Sequence, residues 1–218
     1  IMGAGIAGLG FEKLVYGGLT KVFAGIVIAP IGGLIVGLLL TGLIITVFAK
    51  RRPAPVNKVF GKLQIISSAW FALTHGANDG QKTMGIIALI LFSAGLIPEL
   101  EIPLWVIFAA AAAMGLGTFF GGYKVIKTLG VKITRLRPYQ GFAAETGGGL
   151  MLAAFAILGI PASTTHAITG TIMGAGAARR KLAVRWKVSR QIVFSWIITI
   201  PGAAAMGIGF TYLIHLFV

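Results

Sequence analysis

Long apolar segments separated by short polar stretches dominate the chain from end to end. Residues 22–48, 104–122 and 191–217 are apolar almost without interruption. Each segment is long enough to cross the hydrocarbon core of a bilayer as an α-helix, which takes about 20 residues. The short alternating strands of an outer-membrane barrel do not occur in the sequence. The pattern therefore predicts an all-α, polytopic membrane protein.

The segment 63–97 does not fit one simple crossing. A straight helix of this length would measure roughly 50 Å, whereas the hydrocarbon core is about 30 Å thick. Its centre is polar, reading "THGANDGQKT" at 74–83, and contains Gly76 and Gly80. We therefore expect a broken helix, followed by an external connector "PELEIP" at 98–103.

Charge orients these segments. The chain has 19 Lys and Arg against 5 Asp and Glu, a net charge of +14. The basic residues gather in three clusters between apolar segments: Lys50, Arg51, Arg52, Lys58 and Lys62; Lys124, Lys127, Lys132, Arg135 and Arg137; Arg179, Arg180, Lys181, Arg185, Lys187 and Arg190. The positive-inside rule places all three on the cytoplasmic side of an inner or plasma membrane. Nucleic acid is not an expected partner, because no aromatic-interleaved basic face accompanies the charge.

The segment 139–178 leaves one basic cluster and arrives at another. It must therefore cross the membrane an even number of times, or enter and turn back as a re-entrant helical hairpin. In both cases "PASTTH" at 161–166 lies at the turn. The last segment, 191–217, then crosses outward and leaves the C-terminus outside.

An internal repeat relates the two ends of the chain. "IMGAG" occurs at 1–5 and again at 172–176, and the same offset of 171 aligns Pro30 with Pro201. Pro30 belongs to a segment running inward and Pro201 to one running outward. This is the inverted-repeat plan of many secondary transporters.

The repeat predicts the domain organisation. Residues 1–50 are the tail of the first repeat, 51–62 a cytoplasmic basic linker, and 63–218 the second repeat. Comparison with the second copy predicts that on the order of a hundred further residues of the first repeat precede Ile1.

The "PASTTH" stretch has the chemistry of an anion site. Pro161 suits the start of a helix, and Ser163, Thr164 and Thr165 suit its cap. A helix from about 164 to 178 would direct free N–H groups and a positive dipole at the turn, without a fixed cation. Alternatively, the hydroxyls bond their own backbone or a neighbouring helix. His166 could orient a hydroxyl, carry a proton or only pack.

The "HGANDGQK" stretch contains an intramembrane carboxylate, which is a functional candidate because it is costly to bury there. Asn78 and Asp79 offer oxygen ligands to a hard cation such as sodium, and Gln81 could add another. Asp79 could instead carry a proton or pair with Lys82. Glu145 could cap a half-helix with Thr146, or couple to a proton or cation.

At these residues the chain closely resembles the PiT family of inorganic phosphate transporters. The resemblance rests on "HGANDGQKTMG" at 75–85, "GFAAE" at 141–145 and "LGIPASTTHAITG" at 158–170. It implies two inverted repeats, each with an Asn-Asp motif and a Ser-Thr-Thr-His hairpin. It also implies cation-coupled phosphate uptake by alternating access, with phosphate between the two hairpin tips.

For this chain, the resemblance implies that Ser163, Thr164 and Thr165 bind phosphate. It implies that Asn78 and Asp79 bind the cation. The usual family pattern has Asn-Ala where this chain has Lys82-Thr83, which weakens a sodium site here and favours proton coupling. The first repeat's motifs are absent, so we expect that this polypeptide alone does not transport.

The sequence is also compatible with three other functions. Hydroxyls and helix N-termini bind sulfate as well as phosphate, so a sulfate transporter, an anion channel and a non-transporting membrane subunit are alternatives. No nucleophile–base pair or metal cluster suggests an enzyme or a resident cofactor, and Gly147, Gly148 and Gly149 suit close helix packing. Membrane lipid is an expected partner, and the architecture is compatible with a homodimer.

Overall fold

The fold is entirely helical over the residues that the computed structural model describes, 2–180 and 183–217. Ile1 of the repeat and Lys181 of the third basic cluster lie outside these residues. Within these residues, seven α-helices follow one another: α1 Met2–Leu9, α2 Tyr16–Val47, α3 Pro53–Ser93, α4 Leu104–Lys127, α5 Pro138–Ile157, α6 Thr164–Ala177 and α7 Trp186–His215. A 3₁₀ turn, Phe11–Lys13, follows α1, and a π-helical turn, Thr128–Ile133, extends α4.

Among the described residues, three helical segments are long and apolar enough to cross a membrane: Tyr16–Val47, Leu104–Tyr123 and Trp186–His215. Their apolar side chains remain largely uncovered by protein. Phe119 and Phe120 on α4, for example, are 80% and 79% exposed. Apolar surface of this extent would be unfavourable in water but suits the acyl chains of lipid. The predicted multi-pass membrane protein is therefore supported.

The prediction of a broken helix over 63–97 is wrong. Helix α3 is continuous from Pro53 to Ser93 and passes through the polar centre without unwinding. The polar side chains find partners within about one turn, as when the Asn78 amide donates to the Thr74 carbonyl at 2.9 Å, or on a neighbouring element, as when Asp79 accepts from Thr164. The expected linker 51–62 is correspondingly short, because 53–62 form the first turns of the same helix.

Contacts divide the chain into two compact units, Ala24–Val184 and a terminal unit formed by Ile1–Phe23 with Arg185–Val218. In the terminal unit α1 packs on α7, and the site where a Cβ would stand at Gly3 is taken by the Ala204 backbone. This close approach needs a residue without a side chain.

In the larger unit, α5 and α6 form a helical hairpin whose turn spans 158–163, and α3 packs along α5. The core joins Ala29 of α2 to Leu152 and Phe155 of α5 and to Ala162 and Ala167 of the turn and α6.

Small residues at every fourth position of α2 make this packing close. Gly25, Ala29, Gly33, Gly37 and Thr41 form its buried face. A Cβ at Gly33 would lie 2.6 Å from the Ala167 carbonyl oxygen of α6. Backbones therefore meet directly, as small residues permit in membrane helices.

The three glycines of α5 serve packing, as expected. A Cβ at Gly147 would lie 2.9 Å from Val36 Cγ1, and one at Gly148 would lie 3.1 Å from Phe71 Cε2. Gly149 faces the indole of Trp70. The glycine run thus lets α2 and α3 approach α5 from two sides.

Candidate functional site

The carboxylate of Asp79 is the point where α3 meets the start of α6. Its Oδ1 accepts a hydrogen bond from Lys82 Nζ at 2.9 Å. Its Oδ2 accepts from the Thr164 hydroxyl at 2.8 Å and lies 3.0 Å from His75 Nε2. Both carboxylate oxygens therefore face donor groups, and one of those donors comes from a different helix.

The two donors from α3 follow from helical geometry. His75, Asp79 and Lys82 stand at i, i+4 and i+7, so they share one face of a continuous helix. The His75 ring also stacks on Phe71, with centroids 5.9 Å apart and planes 12° from parallel. The sequence indicated a pairing of Asp79 with Lys82 as one alternative. Sequence reasoning missed His75, although its i, i+4 spacing was a usable signal.

The start of α6 is a capped helix N-terminus. Ser163 caps the helix as predicted, because its Oγ accepts from the His166 N–H at 3.4 Å. Gly159, with a φ of 61°, allows the chain to reverse into this turn. The first turn directs its N–H groups and the positive end of the helix dipole toward the turn.

The three predicted phosphate ligands have different surroundings. Thr165 is exposed and Ser163 is half-buried, so both hydroxyls lie at or near the surface of the turn. Thr164 is buried and donates its hydroxyl proton to Asp79. Thr164 is thus a link between the anion motif and the carboxylate, whereas Thr165 is the more available donor.

The predicted cation ligands do not converge on a single point. The Asn78 amide donates to the Thr74 carbonyl at 2.9 Å and to the Leu152 carbonyl of α5 at 3.4 Å, so it fixes α3 against α5. Gln81 is exposed on the surface of α3. Of the three, Asp79 is the one whose side chain hydrogen-bonds α6 within the described residues. No group of three or more His, Cys, Asp or Glu suited to a metal ion occurs within the described residues.

Glu145 forms a second and separate polar site between α3 and α5. Ser67 Oγ donates to its Oε2 at 2.6 Å, and Gln64 Nε2 donates to its Oε1 at 3.3 Å. Ser67 stands 12 positions before Asp79 on α3, which is about 18 Å along the helix. The two carboxylates therefore lie at well-separated levels along the axis of α3.

Glu145 and His166, two further candidates, lie within α5 and α6. Glu145 does not cap a half-helix with Thr146, because both residues lie in the interior of α5. His166 is buried and hydrogen-bonds the backbone of Ile26, which ties α6 to α2 and supports a packing role. Sequence reasoning missed Ser67 and Gln64, since no local spacing indicates a partner about 80 positions away.

Residues 48–207 match the model of the phosphate transporter family. The chain is 49% identical to a "Probable low-affinity inorganic phosphate transporter" of Rhizobium meliloti, over 94% of this chain and 61% of that protein. A protein of the same description from Bacillus subtilis is 40% identical, over 95% of this chain and 62% of its own length.

Among solved structures, "The sodium-dependent phosphate transporter" shares the fold, with a TM-score of 0.83 at 23% identity. The match covers all of this chain and 72% of that one. The chain spans less than two thirds of the length of the Rhizobium meliloti and Bacillus subtilis relatives.

Proposed function

Since this chain belongs to the phosphate transporter family, we propose that it contributes one half of the substrate site of a cation-coupled phosphate symporter. The symporter works in the inner or plasma membrane by alternating access. The observation that carries the proposal is the hydrogen bond from Thr164 to Asp79. It joins the element suited to an anion with the carboxylate suited to a cation or proton.

Phosphate binds at the N-terminal end of α6 in this proposal. The Ser163 and Thr165 hydroxyls and the first-turn N–H groups supply neutral donors, and the helix dipole supplies the favourable potential. Neutral donors suit transport, because a substrate held by a fixed cation would be released less readily. Phosphate can share a proton with a neighbouring group, which favours it over sulfate at a site close to Asp79.

The hairpin is re-entrant in this proposal. Helix α6 has 14 residues, which give about 21 Å, whereas the hydrocarbon core is about 30 Å thick. A helix of this length does not span the core, so its N-terminal end lies within the membrane rather than at the far surface. This is the depth at which an alternating-access transporter keeps its substrate.

The inverted repeat is supported by two similar helix crossings. In one unit the Gly3 position of α1 meets the Ala204 backbone of α7. In the other the Gly174 position of α6 meets the Leu34 backbone of α2. With the repeat offset of 171, residue 3 corresponds to residue 174. Residue 204 corresponds to residue 33, which is the neighbour of Leu34. The same crossing thus occurs in each unit, with the roles of the two repeats exchanged.

The topology follows from charge. The three basic clusters face the cytoplasm and the C-terminus lies outside. In the full transporter, equivalent Asn-Asp and Ser-Thr-Thr-His motifs of a first repeat complete the site, as the family resemblance implies.

Uptake of radiolabelled phosphate into proteoliposomes tests the proposal. The chain is reconstituted alone, and together with the portion of the Rhizobium meliloti relative that it does not cover. Sodium and proton gradients are imposed in turn, with excess sulfate as competitor. We expect uptake only in the combined sample, driven by one gradient and resistant to sulfate.

The variant Asp79→Asn abolishes this uptake, whereas Glu99→Gln, a matched loss of a carboxylate in the connector 98–103, preserves it. Uptake blocked by sulfate would instead indicate a sulfate transporter. Currents independent of both gradients would indicate a channel, and no uptake in either sample would indicate a non-transporting subunit.

A further inference from the structure

Lys82 occupies the position in which a coupling cation would contact Asp79. We propose that its ammonium group is a tethered cation, which makes this half of the molecule independent of sodium. The inference rests on the proposed function, because it concerns the ion that the same site requires.

The contacts of Lys82 are those of a bound cation. Nζ lies 2.9 Å from Asp79 Oδ1 and 2.9 Å from the main-chain carbonyl oxygen of Ala162. A carboxylate oxygen and a main-chain carbonyl oxygen are the ligands that hard cations prefer. The two oxygens come from α3 and from the turn before α6, so the ammonium bridges the two motifs.

A sodium ion does not fit beside this arrangement. The other carboxylate oxygen, Oδ2, already accepts from Thr164 and faces His75 Nε2. A sodium ion needs lone pairs directed toward it, whereas the groups around Asp79 present hydrogens and one positive charge. The ion would have to displace Lys82 against like-charge repulsion.

The continuity of α3 aligns Lys82 with Asp79. Asp79 and Lys82 are three positions apart, so an unbroken α3 brings their side chains to the same face. An unwound segment, such as the one expected from the sequence, would free main-chain carbonyls for an ion and would leave the lysine unaligned. The unbroken α3 and Lys82 therefore act together, because the helix holds the ammonium group beside the carboxylate.

The tether also positions the anion site. Because Lys82 holds Ala162, it restrains the turn immediately before Ser163, the cap of α6. In a sodium-coupled site this restraint would form only after the ion binds. Here Lys82 supplies the restraint from within the chain, so the anion site needs no bound sodium ion to assemble.

Thermal unfolding of the purified chain in detergent, without phosphate, tests the inference. Melting temperatures are compared in sodium chloride and in choline chloride of equal ionic strength, together with binding of radioactive sodium. We expect no sodium-specific shift for the unmodified chain. The variant Lys82→Ala should acquire a stabilisation that grows with the logarithm of sodium concentration above the dissociation constant.

Three variants make the result specific. Lys82→Arg keeps the charge and stays insensitive to sodium, and Lys62→Ala removes a charge from the same helix outside the site and also stays insensitive. The double variant Lys82→Ala with Asp79→Asn loses the acquired sodium response.

Two results would overturn the inference. One is a sodium-specific stabilisation of the unmodified chain that is lost in the variant Asp79→Asn. This comparison does not depend on whether any Lys82 variant folds. The other is a folded Lys82→Ala chain that gains no sodium response. Phosphate is absent from these measurements, so a failure of phosphate uptake would overturn the proposed function and leave the sodium result standing.

Discussion

The hydroxyl of Thr164 donates a 2.8 Å hydrogen bond to Asp79 Oδ2 across 85 positions of sequence. A hydrogen bond to an ionised group is stronger than one between neutral groups, and it weakens when the charge is lost. The first residue of α6 therefore senses the charge at Asp79. Protonation of the carboxylate would therefore weaken a contact of the helix end that we propose to bind phosphate.

Removing the hydroxyl of Thr164 should destabilise the chain. Thr164→Val keeps the shape but leaves Asp79 without a buried donor, at a cost of roughly 1.5–3 kcal/mol. Thermal unfolding in detergent measures the loss, and Thr164→Ser should restore most of it. A melting temperature unchanged by Thr164→Val would show that this hydrogen bond contributes little.

The neighbouring Thr165 should behave in the opposite way. Its side chain is exposed, so Thr165→Val should leave thermal unfolding almost unchanged. A lost hydrogen bond to phosphate costs roughly 0.5–1.5 kcal/mol, which raises the half-saturating phosphate concentration about twofold to tenfold. The proteoliposome assay measures this value, with Thr165→Ser as the control. Unaltered half-saturation would exclude Thr165 as a ligand.

Ser67 should matter for stability through Glu145. Ser67→Ala removes the 2.6 Å hydrogen bond to Oε2 and leaves Gln64 as the remaining donor, at a cost of roughly 1–3 kcal/mol. The adjacent Ser68 is exposed and bonds only to the Ile65 carbonyl within its own helix, so Ser68→Ala should change stability by less than about 0.5 kcal/mol. Equal melting temperatures for the two variants would contradict the assigned role of Ser67.

Gly33 should not tolerate a methyl group. A Cβ there would lie 2.6 Å from the Ala167 carbonyl oxygen, so Gly33→Ala should force α2 and α6 apart and cost roughly 1–3 kcal/mol. Gly42 stands on the same helix with nothing within 4 Å of the equivalent position. Gly42→Ala should therefore be neutral, or stabilising by up to about 1 kcal/mol. A stable Gly33→Ala chain would refute the close crossing of the two helices.

The local sequence was sufficient for much of this description. The lengths of the apolar segments predict the membrane-crossing helices, because the thickness of the bilayer sets a minimum length that can be read from the sequence. Ser163 as the cap of α6, and the pairing of Asp79 with Lys82, depend on residues within one helical turn of each other. The resemblance carried by the "HGANDGQKTMG" and "LGIPASTTHAITG" stretches correctly indicated the phosphate transporter family.

Only the tertiary structure decided the rest. Helix α3 runs unbroken through Gly76 and Gly80, because side chains satisfy the polar segment and the helix packs along α5. The partners of Thr164 and Glu145 come from about 80 positions away, and no local periodicity encodes such pairs. The sequence by itself determined which residues are costly to place in a membrane. The packing of α3 against the α5–α6 hairpin determined which of these residues pair with one another. Charges and hydrogen-bonding groups are satisfied by partners close in space, and the folded chain decides which residues those are.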